Sequence, residues 1–136
     1  MAGEPPAART PNPDRIEITV PLRAEFASTL RTLVAAIGSD AGFSVDELDD
    51  LRLALSEVFS VLADAAPDDG RARVSCWTIQ GELAVAVAAD TPGVSIVLDD
   101  LARNILDSVT DTVTVGADGV TFSKRSGELA EPPRTS

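Results

Sequence analysis

One stretch limits the fold more than any other. From Leu48 to Leu62, apolar residues return every three or four positions, at Leu48, Leu51, Leu55, Val58 and Leu62. That spacing marks one face of an α-helix. Leu53, Phe59 and Val61 broaden the stripe, so other elements must cover much of this helix. Its start is also legible. Ser44 and Glu47 form a Ser-x-x-Glu capping box, and Asp46, Asp49 and Asp50 suit the positive end of the helix dipole. Pro67 and Asp68-Asp69-Gly70 end it in a turn. One carboxylate, Glu57, sits in the middle of the covered stretch. A charge there needs solvent, a partner or a ligand.

The flanking sequence supplies the cover. Ile16, Ile18 and Val20 alternate with Glu17 and Thr19, as in a half-buried strand. Pro21 ends that strand and suits a first helical turn. Phe26, Leu30, Leu33, Val34 and Ile37 then recur at helical spacing, with Gly38 as the expected C-cap. Arg71 to Ile79 and Leu83 to Ala89 read as a hairpin turning at Gln80-Gly81, the second strand apolar on both faces and therefore central. Asp-Thr-Pro-Gly breaks the pattern at Asp90. A third helix is expected from about Val97 to Leu106, with Asp99 and Asp100 at its start. A last hairpin joins Thr112–Val115 to Val120–Lys124 through Ala117-Asp118-Gly119. The order β-α-α-β-β-α-β-β, with strands in hairpins, predicts an α+β fold: a two-layer sandwich of a mostly antiparallel sheet with helices on one face. The proline-rich residues 1–14 and the end, 126–136, read as disordered tails, leaving one folded domain at 15–125.

Composition excludes several functions. The 136 residues carry a net charge of −11, the reverse of the basic footprint that nucleic acid or an acidic lipid surface requires. A basic protein partner is electrostatically welcome. There is no histidine, which removes His-based acid–base chemistry, Ser-His-Asp triads and most zinc sites. The single cysteine, Cys76, can form no internal disulfide and reads as a core thiol. No 18-residue apolar run suggests a membrane span, and no signal pattern opens the chain, so the cytoplasm is the expected location.

Two carboxylates stand out. Spacing leaves Glu57 open between a solvated polar strip shared with Arg52 and Ser56, the commoner case, and a general base or water-positioner at a cleft edge. Asp90 is either a plain turn residue or an acceptor for a ligand amine at a strand end, with Gly93 allowing close approach. The acidic cluster Asp46, Asp49, Asp50 matches the spacing of no metal loop and reads as helix capping. Arg23 and Arg31, eight residues apart on the first helix, share a face and offer either solvation or a contact patch.

Four stretches together resemble the anti-sigma-factor serine kinases of the histidine-kinase-like (GHKL) ATPase superfamily. "DDLRLALSEVFSVLADAA" is similar to their nucleotide-binding helix, with its Ala-x-x-Glu core ending here at Glu57. "VAVAADTPG" resembles the following strand and Asp-x-Gly-x-Gly box. "NILDSVTDTVTVGADGVTFSKR" resembles the C-terminal helix and hairpin, and "RIEITVPLRAEFASTLRTLVAAI" the first strand and helix. The resemblance implies that Glu57 activates the attacking hydroxyl or water, that Asp90 binds the adenine amine, and that Arg31, with Arg23 beside it, contacts a partner. It implies a sigma factor and an anti-anti-sigma factor as partners, and a homodimer through the first strand and helix.

The departures from the family pattern are specific. The Asn that would hold Mg²⁺ falls at Val61, and the box glycines fall at Pro92 and near Val94. The lid stretch VSIVLDD has no glycine and places two aspartates near a triphosphate. Weak or absent ATP–Mg²⁺ binding, a vestigial Glu57 and no resident cofactor are the expectations. An anti-sigma factor that sequesters its sigma factor without kinase activity is then expected. The alternatives are an active serine kinase with a variant Mg²⁺ site, and a generic α/β binding module. A loose, open segment 93–101 would favour nucleotide binding; a packed helix with Val94, Val97 and Leu98 in the adenine pocket would favour protein binding alone.

Overall fold

The computed structural model describes residues 15–127, so the tail read at 1–14 and all but the first two residues of the one read at 126–136 lie outside the described residues. The chain runs β1 (Ile16–Pro21), α1 (Glu25–Asp40), α2 (Val45–Ala65), β2 (Arg71–Ile79), β3 (Glu82–Ala89), α3 (Asp100–Val109), β4 (Thr112–Val115) and β5 (Gly119–Arg125). The strands form one sheet in the order β1-β2-β3-β5-β4, and every neighbouring pair is antiparallel. The expected α+β sandwich is thus the observed architecture, with a sheet antiparallel throughout.

The sheet is built from period-two patterning. Ala72, Val74 and Cys76 of β2 and Leu83, Val85 and Val87 of β3 point inward and are buried. Across the register Ala72 stands opposite Ala89, Val74 opposite Val87 and Cys76 opposite Val85. Gln80 and Gly81 both have positive φ, 51° and 81°, the signature of a two-residue hairpin whose twist matches its strands. Leu51, Leu55, Val58, Phe59 and Leu62 of α2 lie against this layer, all nearly inaccessible. Leu53, expected to widen the buried stripe, is 47% exposed. It lies on the stripe of α2 that turns away from the sheet.

Gly38 does not end α1. The helix continues to Asp40, and Gly38 is buried inside it. A Cβ there would stand 2.6 Å from Leu48 Cδ2, so the missing side chain lets α1 approach α2. Helix α3 begins at Asp100 rather than Val97, because Asp99 is its N-cap: the Asp99 carboxylate accepts a 2.8 Å hydrogen bond from the Ala102 N–H. Lys124 of β5 ties three elements together. Its ammonium donates to the Val109 carbonyl at the C-terminus of α3 (3.1 Å) and lies 3.2 Å from Asp50 of α2, the charge sign that a helix C-terminus favours.

The ordered chain runs past the expected end at Arg125. Ser126 is fully buried, and its N–H donates to the Gly81 carbonyl at 2.8 Å. The Gly127 N–H donates to Glu47 Oε2, so Glu47 serves both its capping box and the end of β5. The box itself forms as read, with Ser44 N to Glu47 Oε1 at 2.8 Å and Glu47 N to Ser44 Oγ at 3.2 Å.

Burial pushes the Glu47 carboxyl up, but the Ser44 and Gly127 N–H groups, the Ser44 hydroxyl and the nearby Lys124 charge outweigh it and hold the group below its usual value of 4.5. A carboxylate depressed on folding adds stability above its unfolded pKa and loses it as pH falls through the folded one. Stability should therefore drop as pH falls below about 4.5. In Glu47→Gln the urea midpoint should fall at pH 7, and its loss between pH 6 and pH 3 should be smaller than in the parent. An equal loss in both proteins would assign the acid sensitivity elsewhere.

Candidate functional site

The stripe of α2 that turns away from the sheet carries Glu57, Ser60, Val61, Asp64 and Ala65, at helical i, i+3, i+4, i+7 and i+8 spacing. Facing it are Ser95, Val97 and Asp99, from the irregular segment after β3, and Ala102 of α3. Together they line a groove of about 420 Å³. Three of its lining residues are carboxylates and none is cationic. Among the described residues, Glu57 and Asp64 engage in no side-chain hydrogen bond or ion pair. Asp99 keeps one carboxylate oxygen on the Ala102 N–H.

The segment from Asp90 to Asp99 forms the other wall, and it is neither a helix nor a loose loop. Val94 and Ile96 are buried, and the Ile96 N–H donates to the Ala117 carbonyl at 3.1 Å. Gly93 has φ +84° with nothing near its missing side chain, so the residue serves backbone conformation rather than space. Val97, placed by the sequence reading among residues that could fill an adenine pocket, is instead 82% exposed. In the extended stretch from Val94 to Val97, side chains alternate between faces. Val94 and Ile96 point inward, which turns Val97 out.

The sequence-predicted site residues separate in the fold. Glu57 and Val61 face the groove. Asp90 and Gly93 are not among its lining residues. The Asp90 carboxylate pairs with Arg73 Nη2, and its N–H donates to the Arg71 carbonyl at 2.7 Å. Arg73 alternates with the buried Ala72 and Val74, so it lies on the sheet face away from the helices and draws Asp90 there.

Arg31 of α1 donates through Nη1 to Ser56 Oγ of α2 at 3.1 Å, one residue from Glu57. Arg23 stacks over the Phe26 ring at 5.2 Å and lies 3.5 Å from Glu25. The two arginines share α1 and its approach, but Arg31 is half-buried and Arg23 exposed. Cys76 is a core residue, 1% exposed. Burial pushes its thiol up to about 11, against a smaller opposing effect of the Arg15 charge, so a reactive thiolate is scarce at neutral pH.

Sequence reasoning missed Ser60, Asp64 and Ser95 as members of the site. The first two were within reach: counting three and seven residues on from Glu57 names them. Ser95 had no local signal, because only the course of the 90–99 segment brings it opposite α2.

An open antiparallel sheet, helices on one face, and a groove between the second helix and the segment before the third define the class: the fold of an RsbW domain. A solved structure of the RsbU and RsbW domains of Rv1364c from Mycobacterium tuberculosis superposes with a TM-score of 0.62, covering 87% of this chain and 33% of that one at 18% identity. Among curated proteins, the serine-protein kinase RsbW of Halalkalibacterium halodurans is 34% identical over 62 residues, 46% of this chain and 38% of that protein. RsbW of Bacillus thuringiensis and of Bacillus cereus are each 27% identical over 94 residues, 68% of this chain and 58% of theirs. The chain is similar in sequence to these RsbW serine-protein kinases, and it spans between about two fifths and three fifths of the length of the proteins it matches. No family model matches it. Among the described residues, no helix is long and apolar enough to cross a membrane.

Proposed function

We propose that this protein is an anti-sigma factor that holds an alternative sigma factor by surface binding and has lost the nucleotide chemistry of its RsbW relatives. One observation carries the reading: the groove at the position of the family's nucleotide helix is lined by Glu57, Asp64 and Asp99, with Val61 among them and no cationic residue. A triphosphate would meet three like charges there. The N-terminus of α3, where free N–H groups would otherwise cradle phosphate, already has the Asp99 carboxylate on the Ala102 N–H. An apolar Val61 offers no oxygen to a hard cation, and no three acidic side chains among the described residues are placed to hold a metal ion.

Partner binding falls to other surfaces. Arg31 is held by Ser56 at the α1–α2 junction, which positions its remaining donors for an acidic group on a partner, and Arg23 extends that patch. A basic sigma-factor domain would be steered by the −11 charge, and an anti-anti-sigma protein would release it by competing for the same face. A homodimer through β1 and α1 fits the position of β1 as an edge strand, with one side of its backbone free to pair. The kinase alternative rests on Glu57, which does face the groove.

Calorimetric titration with ATP and Mg²⁺, beside Glu57→Ala, separates the two. No saturable heat at millimolar ATP is expected. Saturable micromolar binding, about −8 kcal/mol, lost in Glu57→Ala, would overturn the proposal and make partner phosphorylation the next assay.

A further inference from the structure

The stripe that lines the groove does not stop at its ends. Leu53, one helical turn before Glu57 on the same stripe of α2, is 47% exposed, and Val97 in the opposite wall is 82% exposed. Large apolar side chains and carboxylates therefore alternate on one continuous surface: Leu53, Glu57, Val61 and Asp64 on α2, Val97 and Asp99 across from them. Large side chains left in water next to a formed concavity mark an interaction site.

Charge decides the occupant. A neutral apolar segment seated here would strip water from Glu57 and Asp64 without pairing them, which is costly. An acidic one would be repelled. A segment carrying both Lys or Arg and Leu or Ile satisfies both halves of the surface, its cations meeting Glu57 and Asp64 and its apolar side chains covering Leu53, Val61 and Val97. We infer that this groove is a docking site for a basic amphipathic segment of a partner protein, seated between α2 and the 95–102 wall. The inference rests on the proposed loss of nucleotide binding.

The test uses the full chain, ¹⁵N-labelled, titrated with a synthetic 15-residue Leu/Lys amphipathic peptide and with its Leu/Gln counterpart. Shift changes for the Leu/Lys peptide should cluster at residues 53–65 and 95–102. The Leu/Gln peptide should bind at least about tenfold more weakly, about 1.4 kcal/mol. Glu57→Gln/Asp64→Asn should weaken the Leu/Lys peptide by a similar factor. Asp40→Asn/Asp46→Asn, which removes the same charge at the end of α1 and the start of α2, should change affinity less than twofold. Asp99 is left intact because it caps α3.

Shift changes spread over the whole acidic surface, or equal losses in the two double variants, would overturn the inference. So would no groove binding at all, and with silent ATP titrations that result would leave the proposed function standing. Saturable ATP–Mg²⁺ binding that displaces the peptide would overturn the proposed function, and the inference with it.

Discussion

Phe122→Ala should cost about 3–5 kcal/mol of folding free energy, among the largest losses expected from a single truncation in this chain. Phe122 is fully buried on β5 and stands opposite Val85 on one side and Val113 on the other. Aromatic residues make up only 4% of the sequence, and Phe122 and Phe59 are its largest fully buried side chains. The neighbouring Val and Leu side chains are too short to close the space left behind. Small domains rarely hold more than about 5–15 kcal/mol, so the variant should be marginal or unfolded at 37 °C. Urea unfolding at 15 °C should show a lower midpoint with an unchanged slope. Thr114→Ala, on the exposed part of β4, should stay within about 0.5 kcal/mol. An unfolding free energy within about 1 kcal/mol of the parent for Phe122→Ala would mean that the core repacks and that β5 is not its centre.

Gly119→Val should cost about 2–3 kcal/mol, the reverse of what strand preference implies. Valine favours strands, and Gly119 starts β5 opposite Ala88. Yet a Cβ at Gly119 would fall 2.6 Å from the Val87 carbonyl oxygen and 2.9 Å from Ala88 Cα. Backbone atoms in a central strand cannot swing aside as a side-chain end can, so the β3–β5 ladder must separate at this end. The same end holds the Ala89 N–H on the Asp118 carbonyl (2.8 Å) and Ile96 on Ala117. The loss should therefore reach the groove wall, and hydrogen exchange at Val87, Ala89 and Ile96 should quicken more than at Val74. A raised midpoint would show that the close approach relaxes freely.

The two glycines show where local reading of the chain stops. Gly38 and Gly119 were read as a helix cap and a turn residue, the roles glycine usually plays. Both instead stand where other elements come close: Leu48 over Gly38 and the β3 backbone over Gly119. Nothing in the neighbouring sequence encodes that approach. Helix α3 is a milder case. Its starting residues, Asp99 and Asp100, were legible from capping chemistry, while the apolar Val97 and Leu98 drew the expected boundary three residues too early. The site divided likewise. Glu57 and Val61, singled out by helix spacing and the family resemblance, line the groove, whereas Asp90, left open between a turn residue and a ligand acceptor, pairs with Arg73.

The sequence alone determined the order of the elements, the capping box at Ser44 and Glu47, the Gln80-Gly81 turn and the burial of α2. Each follows from side-chain period or backbone preference within a few residues. It also set the chemistry that is absent, since a chain without histidine has no imidazole to offer. Only the tertiary structure decided that Asp64, Ser95 and Asp99 share a groove with Glu57, that Ser126 is core, and that Asp90 faces away. Those depend on which surfaces pack across long sequence separations, and the energy that selects them comes from burying α2 against the sheet rather than from any local run of residues.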